Sequence, residues 1–408
     1  MKKDFLPIIL GSDENAYGNI RLICEEYGVR PLVLAKRILI PTRYSKLFDF
    51  ELVDDLDSDE AFVKTLLGAI EKRENEYEKF VVISCSDYYT ALMSRNYSAL
   101  SHKVANKFIS PELLDLFETK DKFYELCDKY SLPYPQTVIV NFEDRENALP
   151  FPFEYPIVVK PENSNATEYL NCKFEEKKKV YFIDSDEMYL ATVKAITNAG
   201  YKGKLIVQEF ISGADDSMRV INSYSRNDGS LALSCMGRPL LEEYVPSNLG
   251  NYAAIISCGD AAIYKCIKEF LEAINYTGFS NFDLKYDEKR GKYYFFEINP
   301  RTGRSSYFVR AAGHNLMKAM IDDVVYGKKE ECVYNYNEAL WSNVPIGIIK
   351  KYVKNKELRD KALSMKKSCT YTLFQKGDMS LKRLYRITRF YLSQYKNYRN
   401  NYFDKDRM

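Results

Sequence analysis

Carboxylate and amide side chains alternate with apolar ones in two neighbouring stretches of the chain, residues 281–286 and 293–304. The segment DEKRG between them is typical of a turn, so the two stretches predict a β-hairpin. A register that pairs residue 283 with residue 297 would give each face one character, because strand side chains alternate between faces. The apolar face would carry Phe282, Leu284, Tyr286, Tyr294, Phe296 and Ile298. The polar face would carry Asn281, Asp283, Lys285, Glu297 and Asn299.

The carboxylates of this polar face predict a metal site. Two carboxylates directly opposite each other repel, which destabilises a hairpin. A divalent cation between Asp283 and Glu297 reverses the effect, because each carboxylate becomes a ligand. Oxygen donors suit Mg²⁺, which takes its other ligands from water and nucleotide phosphates. A solvated polar face neutralised by Lys285 is the alternative, but Arg301 and Arg304 follow directly, and arginines beside a metal suit the binding of anions.

The elements that must position these groups begin with an α/β region. Over the first 110 residues, short apolar strands alternate with helical segments, which predicts a parallel sheet. Ligands in such sheets bind beyond the carboxyl ends of the strands, so residues 11–18 and 84–88 are candidate walls of a binding site. Asp13 and Asp87 within these segments could equally cap the helices that follow, and the sequence leaves both roles open.

Composition excludes several other kinds of chemistry. The chain has 408 residues, 46% of them hydrophobic and 28% charged, which is ordinary for a globular protein of two or three domains. Its nine cysteines are scattered without a C-x-x-C pair and it has two histidines, so a disulfide framework, a zinc site and a histidine triad are not expected. No apolar run is long enough for a membrane span or a signal peptide, and we expect a cytoplasmic location.

The last part of the chain is strongly basic. Residues 350–408 hold 17 Lys and Arg against 5 Asp and Glu, a net charge of +12, which leaves −10 for the rest. Residues 381–395 predict a basic amphipathic helix. Its apolar stripe would comprise Leu381, Leu384, Tyr385, Thr388, Tyr391, Leu392 and Tyr395, flanked by Lys382, Arg383, Arg386 and Arg389. Docking on the acidic body is favoured; a homodimer interface and peripheral contact with an anionic membrane stay open, and nucleic-acid binding is not expected.

The hairpin also resembles a known family. Its sequence, F-D-x-K-Y-D followed by F-E-I-N-P-R-x-G-R-S-S, is similar to the metal-binding hairpin of ATP-grasp enzymes. Lys120, Lys160 and the run VQEFI stand where that family carries its nucleotide contacts. Further motifs resemble the D-aspartate ligases within the family, among them LGSDENAYG, PTRYSK, MRVIN, GRPLLE and YTGFSNFD. The resemblance covers about residues 5–320.

This resemblance implies an α/β fold class, with α+β architecture in the ATP-grasp part. An N-terminal parallel-sheet α/β domain would span residues 1–110. Two ATP-grasp subdomains that clasp ATP would span residues 111–203 and 204–330, the second containing the metal-binding hairpin. Residues 331–408 would form a basic C-terminal extension. Residues 163–179 contain no glycine, so a longer polar and basic loop would replace the glycine-rich flap that many members fold over the phosphates.

The resemblance also implies the site. Lys120 and Lys160 would hold the α- and β-phosphates of ATP, and Asp216 would bind the ribose, with Asp215 as the second choice. The adenine slot would be lined by Gln208, Glu209, Phe210 and Ile211. One or two Mg²⁺ ions would be bound by Asp283, Glu297 and Asn299. The γ-phosphate and the substrate carboxylate would be held by Arg219, Arg301 and Arg304.

The implied activity is an ATP-dependent carboxylate–amine ligase. It would phosphorylate a carboxylate, most simply the β-carboxylate of D-aspartate. It would then join this group to the lysine side chain of a peptidoglycan precursor. An acyl phosphate is needed because a carboxylate otherwise has only oxide as its leaving group. Two alternatives stay open: a ligase for another amino acid or peptide pair, and a non-catalytic nucleotide-binding sensor. A sensor would have no need to keep both lysines and the three metal ligands together.

Overall fold

The computed structural model describes residues 2–53, 56, 58–162, 167–175, 177–178 and 180–403. The chain divides into two compact units. Unit 1 consists of Met1–Leu114, Asp215–Asp283 and Ile298–Phe403, and unit 2 of Asp115–Ala214, Leu284–Glu297 and Asp404–Met408. The finer division into four segments at residues 110, 203 and 330 stays a prediction.

The strands and helices are as follows. The strands are β1 (Lys3–Leu10), β2 (Leu32–Ala35), β3 (Asp49–Leu52), β4 (Tyr77–Ser84), β5 (Thr137–Val140), β6 (Ile157–Pro161), β7 (Tyr181–Ile183), β8 (Leu205–Glu209), β9 (Met218–Ser225), β10 (Leu231–Glu242), β11 (Tyr252–Cys258), β12 (Gly278–Asp287), β13 (Lys292–Asn299), β14 (Val333–Tyr334) and β15 (Leu340–Ser342). The helices are α1 (Glu14–Tyr27), α2 (Asp59–Glu71), α3 (Asp87–Arg95), α4 (Tyr97–Leu100), α5 (Pro111–Glu118), α6 (Lys120–Lys129), α7 (Thr167–Asn171), α8 (Asp186–Asn198), α9 (Ala261–Ala273), α10 (Phe308–Ala311), α11 (Leu316–Val324), α12 (Ile346–Tyr352), α13 (Lys356–Ser364) and α14 (Leu381–Asn401).

The first sheet of unit 1 is parallel, as the sequence predicted. Its strand order is β3-β2-β1-β4, and every pair is parallel. Successive side chains of β1 enter different cores: Phe5 and Ile9 pack with residues of α1, whereas Leu6 and Ile8 pack with residues of α2. Helices therefore cover both faces, which explains why this strand is apolar at nearly every position. The carboxyl end of β1 leads directly into α1, where polar residues begin.

The second sheet contains the predicted hairpin. Its order is β13-β12-β9-β10-β11-β15, with β14 beside β10. β12 and β13 are hydrogen-bonded neighbours, which confirms the hairpin. On the predicted apolar face Phe282, Leu284, Tyr294 and Ile298 are buried, and Tyr286 and Phe296 are half-buried. Strand alternation thus gives the face the character that the sequence predicted.

Unit 2 contains an antiparallel sheet with the order β5-β8-β6-β7. One face packs on α8 through Ile157, Val159 and Val207. In the register of β6 and β8, Val158 pairs with Gln208, so Lys160 and Gln208 share the opposite face. Alternation along two strands therefore directs a lysine and an amide away from the apolar core.

The basic helix α14 packs on the rest of unit 1, and most of its apolar stripe does not take part in this contact. Its buried residues are Arg383, Ile387, Tyr391, Gln394 and Tyr398. Of the seven stripe residues only Tyr391 is buried, and the other six are exposed. The buried face is mixed in character, and its Arg383 forms an ion pair with the buried Asp378. This orientation leaves most of the apolar stripe exposed to solvent. Across the described ranges, no helix is long and apolar enough to cross a bilayer.

Candidate active site

Lys160 is a buried cation of unit 2. Its side chain lies on β6, the residue is 8% exposed, and Nζ donates a hydrogen bond to Oε1 of Gln208 at 3.0 Å. Burial lowers the pKa of Lys160 to about 7, since the charged form loses its water, and the positive charge of Lys120 adds to the effect. A neutral amide offsets little of this cost. The position is therefore suited to an anion that would restore the full charge.

Lys120 stands beside a carboxylate of the hairpin. It begins α6, and its Nζ donates to Oε2 of Glu297 at 3.1 Å. Both belong to unit 2, although they are far apart in the sequence. The structure thus brings together Lys120 and Glu297, two of the predicted site residues, and shows that Glu297 accepts a positive charge at this place.

Gln208 and Glu209 have structural partners. Nε2 of Gln208 donates to the hydroxyls of Tyr124 (2.9 Å) and Thr137 (2.7 Å), which fixes its Oε1 towards Lys160. Glu209 accepts from the main-chain N–H of Gln136 at 2.8 Å, and its other oxygen accepts from Arg290 at 2.8 Å. These contacts give Gln208 a role in positioning Lys160 and tie Glu209 to the hairpin turn.

Phe210 offers a flat apolar surface. Its ring meets that of Phe182 edge-to-face at 5.7 Å between centroids, and Nζ of Lys285 lies 5.3 Å from the Phe210 centroid. Aromatic rings and a nearby cation form the kind of wall on which a planar base packs. Ile211 follows as a buried residue. The sequence had indicated Phe210 and Ile211, whereas Phe182 was missed because it lies on a separate short strand, β7.

The rest of the predicted metal and anion set belongs to unit 1. Oδ1 of Asp283 accepts a hydrogen bond from the hydroxyl of Tyr252 at 2.8 Å. Arg301 donates to both oxygens of Asp87, at 2.7 and 3.1 Å, and more weakly to Oδ1 of Asn299 at 3.4 Å. Asp283 therefore accepts from a neutral hydroxyl, and Asn299 accepts from a cationic guanidinium.

The two aspartates of the N-terminal walls have different roles. Asp13 caps α1, since its side chain accepts from the N–H of Ala16 at 2.9 Å. The cap of α3 is Ser86, so a capping role for Asp87 is wrong. Asp87 is the first residue of that helix, and its carboxylate points outward to Arg301 instead.

A buried carboxylate cluster surrounds Arg304. Its Nη2 lies 3.2 Å from Oε1 of Glu243 and 3.7 Å from Oε2 of Glu14. Glu14 is 3% exposed, and burial raises its pKa to about 8, with the charge of Glu243 contributing in the same direction. Asn343 donates to Oε2 at 2.7 Å, while Oε1 has no hydrogen-bond partner among the described residues.

The charge of the cluster depends on the protonation of Glu14. Two carboxylates against one guanidinium leave a net negative charge when both acids are ionised. Oε1 of Glu14 is closed to solvent, so the cluster contains a buried acceptor that no described residue satisfies. The sequence had marked residues 11–18 as a wall but did not single out Glu14, and its partner Glu243 was missed because no local pattern links them.

Arg219 lies on the face of its sheet that is opposite to the face of Asp283. Asn281 donates to Oδ1 of Asn222 at 3.3 Å, so the two share a face, and Asp283 shares it by alternation. Arg219, three residues before Asn222 on β9, has the opposite parity and donates to the carbonyl oxygen of Asp216 at 2.9 Å. The structure therefore does not bring Arg219 together with Asp283, and its predicted role with the γ-phosphate stays a prediction.

The two candidates for ribose binding differ in access. Asp215 is buried, with Oδ2 accepting from the hydroxyl of Tyr244 at 2.7 Å. Asp216 accepts from Nδ2 of Asn355 at 2.9 Å and lies 3.6 Å from Arg238. Of the two, Asp216 is the more exposed to solvent. Asp215 is held as part of the framework, which favours Asp216 of the two.

The residues fit a magnesium ion by donor chemistry. Within the described part of the chain, no group of three His, Cys, Asp or Glu residues is arranged as a metal cage. Asp283, Glu297 and Asn299 supply two carboxylates and one amide oxygen, which is the sparse oxygen set that Mg²⁺ takes when phosphates complete its shell. Residues 163–166, 176 and 179 of the predicted covering loop lie outside the described residues.

Similar proteins are known by sequence and by structure. No family model matches the chain. A D-aspartate ligase from Enterococcus faecium (strain Aus0004) is 40% identical over 392 residues, which cover 93% of each chain. The structure of N5-carboxyaminoimidazole synthetase from Staphylococcus aureus superposes with a TM-score of 0.59 at 13% identity, covering 88% of each chain. The biotin carboxylase domain of Hydrogenobacter thermophilus 2-oxoglutarate carboxylase, solved with MgADP, gives 0.58 at 13% identity, covering 82% of this chain and 72% of that one.

Proposed function

Because the chain belongs to the D-aspartate ligase family, whose members are ATP-grasp carboxylate–amine ligases, we propose that its own acid substrate is D-aspartate. The chain is an ATP-dependent enzyme that forms C–N bonds, as the sequence predicted. The β-carboxylate would be activated as an acyl phosphate. The acceptor would be the amine of a lysine side chain in a peptidoglycan precursor.

The buried Lys160 is the observation that carries the nucleotide assignment. Burying the charge of a lysine opposite a neutral amide costs free energy, and a bound anion would offset that cost. Such buried, perturbed lysines are typical of functional sites. We assign the α- and β-phosphates of ATP to Lys160 and Lys120, and the adenine to the wall formed by Phe210 and Phe182. Asp216 would bind the ribose.

Magnesium would be held by Asp283, Glu297 and Asn299. The ion would neutralise charge on the β- and γ-phosphate oxygens when bound. The ion pair of Lys120 with Glu297 supports this assignment, because the carboxylate already has a cation beside it. When nucleotide binds, Lys120 would exchange Glu297 for phosphate and so release the carboxylate.

The cluster of Glu14, Glu243 and Arg304 would bind the amino-acid part of the substrate. A free amino acid carries an ammonium and a carboxylate on one carbon, and recognition needs an anion and a cation side by side. Glu14 and Glu243 would accept hydrogen bonds from the ammonium, while Arg304 would bind the α-carboxylate. The side-chain carboxylate of aspartate would then remain free to react.

The reaction needs positioning rather than a protein nucleophile. An oxygen of the substrate carboxylate attacks the γ-phosphorus and ADP leaves. The acceptor amine then attacks the acyl carbon, loses a proton, and inorganic phosphate leaves with the electron pair of the broken C–O bond. Arg301, held by Asp87, would stabilise the phosphoryl oxygens as charge collects on them.

Phosphate release with a panel of acids tests the substrate. The assay contains MgATP and a lysine-containing peptide acceptor, with D-aspartate, L-aspartate, D-alanine or D-glutamate as the acid. We expect phosphate release with D-aspartate to exceed that with each other acid by at least about tenfold, since a missing or displaced carboxylate leaves buried charges unpaired. Equal or greater phosphate release with another acid would contradict D-aspartate as the preferred substrate. ATP binding without phosphate release for any pair of acid and acceptor would favour the non-catalytic sensor.

A further inference from the structure

The helix α14 exposes an apolar stripe between Leu381 and Tyr395. Leu381 is 87% exposed, Tyr385 60% and Leu392 59%, and Leu384 and Tyr395 are exposed by 42% and 44%. From Leu381, these positions follow at spacings that bring side chains to the same side of a helix, so they form one stripe along it. Large apolar side chains exposed singly are normal, whereas a continuous stripe of them marks a contact surface.

Contacts on the opposite side prevent the helix from turning this stripe inward. Arg383 and Asp378 are both fully buried, with Nε of Arg383 3.2 Å from the carboxylate. Arg383 also donates to the carbonyl oxygens of Pro41 and Arg43, at 2.8 and 3.0 Å. Near the other end of the helix, the hydroxyl of Tyr398 donates to the carbonyl oxygen of Glu242 at 2.6 Å.

All charged residues of the same helix are basic. Between Leu381 and Asn401 it has six Lys and Arg and no Asp or Glu. Arg383 is buried, and the other five are exposed: Lys382, Arg386, Arg389, Lys396 and Arg399. Among the described residues no carboxylate forms an ion pair with these five. On a helical wheel most of them flank the apolar stripe, so the outer surface combines an apolar centre with a cationic edge.

We propose that this outer face binds the surface of an anionic lipid bilayer. Such a helix lies in the plane of the interface, with its leucines and tyrosines among the acyl chains and its cations at the anionic headgroups. Tyrosine suits this boundary because its ring is apolar and its hydroxyl stays in water. Because α14 is anchored to the rest of unit 1 through Arg383 and Tyr398, its binding would hold that unit at the membrane surface.

Other partners fit the face less well. Two copies of the chain meeting through it by two-fold symmetry would bring cations against cations. Nucleic acid would satisfy the cations, but the exposed leucines would have no partner on a phosphate backbone. A bilayer satisfies both the apolar stripe and its charged edge.

Vesicle sedimentation tests the proposal on the full chain. The vesicles are pure phosphatidylcholine, or phosphatidylcholine with one-third phosphatidylglycerol, at about 50 mM and about 500 mM salt, where screening is weak and strong respectively. We expect binding to the anionic vesicles that decreases at the higher salt, and little binding to neutral vesicles. Sedimentation no greater with anionic than with neutral vesicles would overturn the proposal.

A triple variant separates the apolar stripe from general basicity. Leu381→Ser, Tyr385→Ser and Leu392→Ser together should weaken vesicle partitioning by about 10²-fold or more, because three exposed apolar groups no longer enter the interface. The matched control replaces Leu52 and Tyr336, which are 61% and 57% exposed outside this helix, by serine, and should bind as the wild type does. Phosphate release and thermal unfolding should be unchanged in both.

Two results would contradict a lipid partner. Equal vesicle binding by the triple variant and the wild type would show that charge alone is responsible. A wild-type dimer in light scattering that becomes a monomer in the triple variant would assign the face to a second copy of the chain. Failure of the D-aspartate assay would leave vesicle binding untouched, so this proposal and the proposed function fail separately.

Discussion

At the scale of single residues, unit 1 and unit 2 each contain a buried ionisable side chain without a full counter-charge. Lys160 faces the neutral amide of Gln208, and Glu14 has one carboxylate oxygen without a hydrogen-bond partner among the described residues. Burial moves both pKa values towards neutrality, to about 7 for Lys160 and about 8 for Glu14. A ligand that supplies the missing charge reverses each shift, so the two substrates should bind with opposite dependence on pH.

The first prediction concerns ATP affinity. Only the charged form of Lys160 attracts phosphate, and its fraction falls as pH rises above about 7. The Kd for ATP should therefore rise by up to about tenfold per pH unit between pH 7 and 9. Lys160→Arg keeps the charge throughout, and titration calorimetry should give it a nearly constant Kd. Lys194→Arg, at an exposed position of α8, is the control and should keep the wild-type slope; an equal slope in Lys160→Arg would contradict the assignment.

The second prediction concerns D-aspartate. Glu14 must lose its proton to accept an ammonium, so the KM for D-aspartate should fall as pH rises towards 8 and be level above it. Glu14→Gln cannot ionise; it should raise this KM by about ten- to a hundredfold, remove its pH dependence and leave the KM for ATP unchanged. Glu26→Gln, on the exposed side of the same helix, should behave as the wild type. An unchanged KM for D-aspartate in Glu14→Gln would exclude the ammonium site.

At the scale of elements, helix ends and strand parity decide which way the candidate functional side chains of each unit point. Asp13 caps α1 and so fixes the start of the helix that carries Glu14. Alternation along β6 and β8 places Lys160 and Gln208 on one face. The same rule on β9 directs Arg219 away from Asp283. A single shift of register would exchange these faces.

The third prediction concerns the docking of α14. Asp378 is 2% exposed, accepts from the hydroxyl of Tyr17 at 2.8 Å and from the N–H of Lys46 at 2.7 Å, and lies beside the buried Arg383. Asp378→Asn leaves that guanidinium buried without a counter-charge, which should lower the free energy of unfolding by about 3–5 kcal/mol in urea. Asp360→Asn, in an exposed pair, should change it by less than about 1 kcal/mol. Equal stability of the two variants would contradict this account of the docking.

At the scale of the whole molecule, the sequence predicted what depends on local pattern. The parallel sheet and the hairpin follow from short-range periodicity, and the resemblance to ATP-grasp enzymes indicated Lys120 and Lys160. Glu14, Glu243 and Arg304 meet only through the tertiary fold, so no local spacing could reveal the cluster. The sequence predicted α14 but left open which of its faces is buried, because hydrophobic periodicity fits both docking on the body and contact with a membrane. Asp378, which pairs with Arg383 and so fixes the buried face, precedes the helix in a segment without a distinctive sequence pattern.

An acyl phosphate of D-aspartate is the central intermediate of the proposed reaction, and hydroxylamine traps it as the hydroxamate. With MgATP, D-aspartate and hydroxylamine, and no peptide acceptor, the wild type should accumulate aspartyl hydroxamate in step with ADP. Glu297→Gln should fold normally and lose this activity by at least about 10²-fold, because a magnesium ligand is removed. ADP formed without hydroxamate, or hydroxamate formed at the wild-type rate by Glu297→Gln, would contradict the central claim.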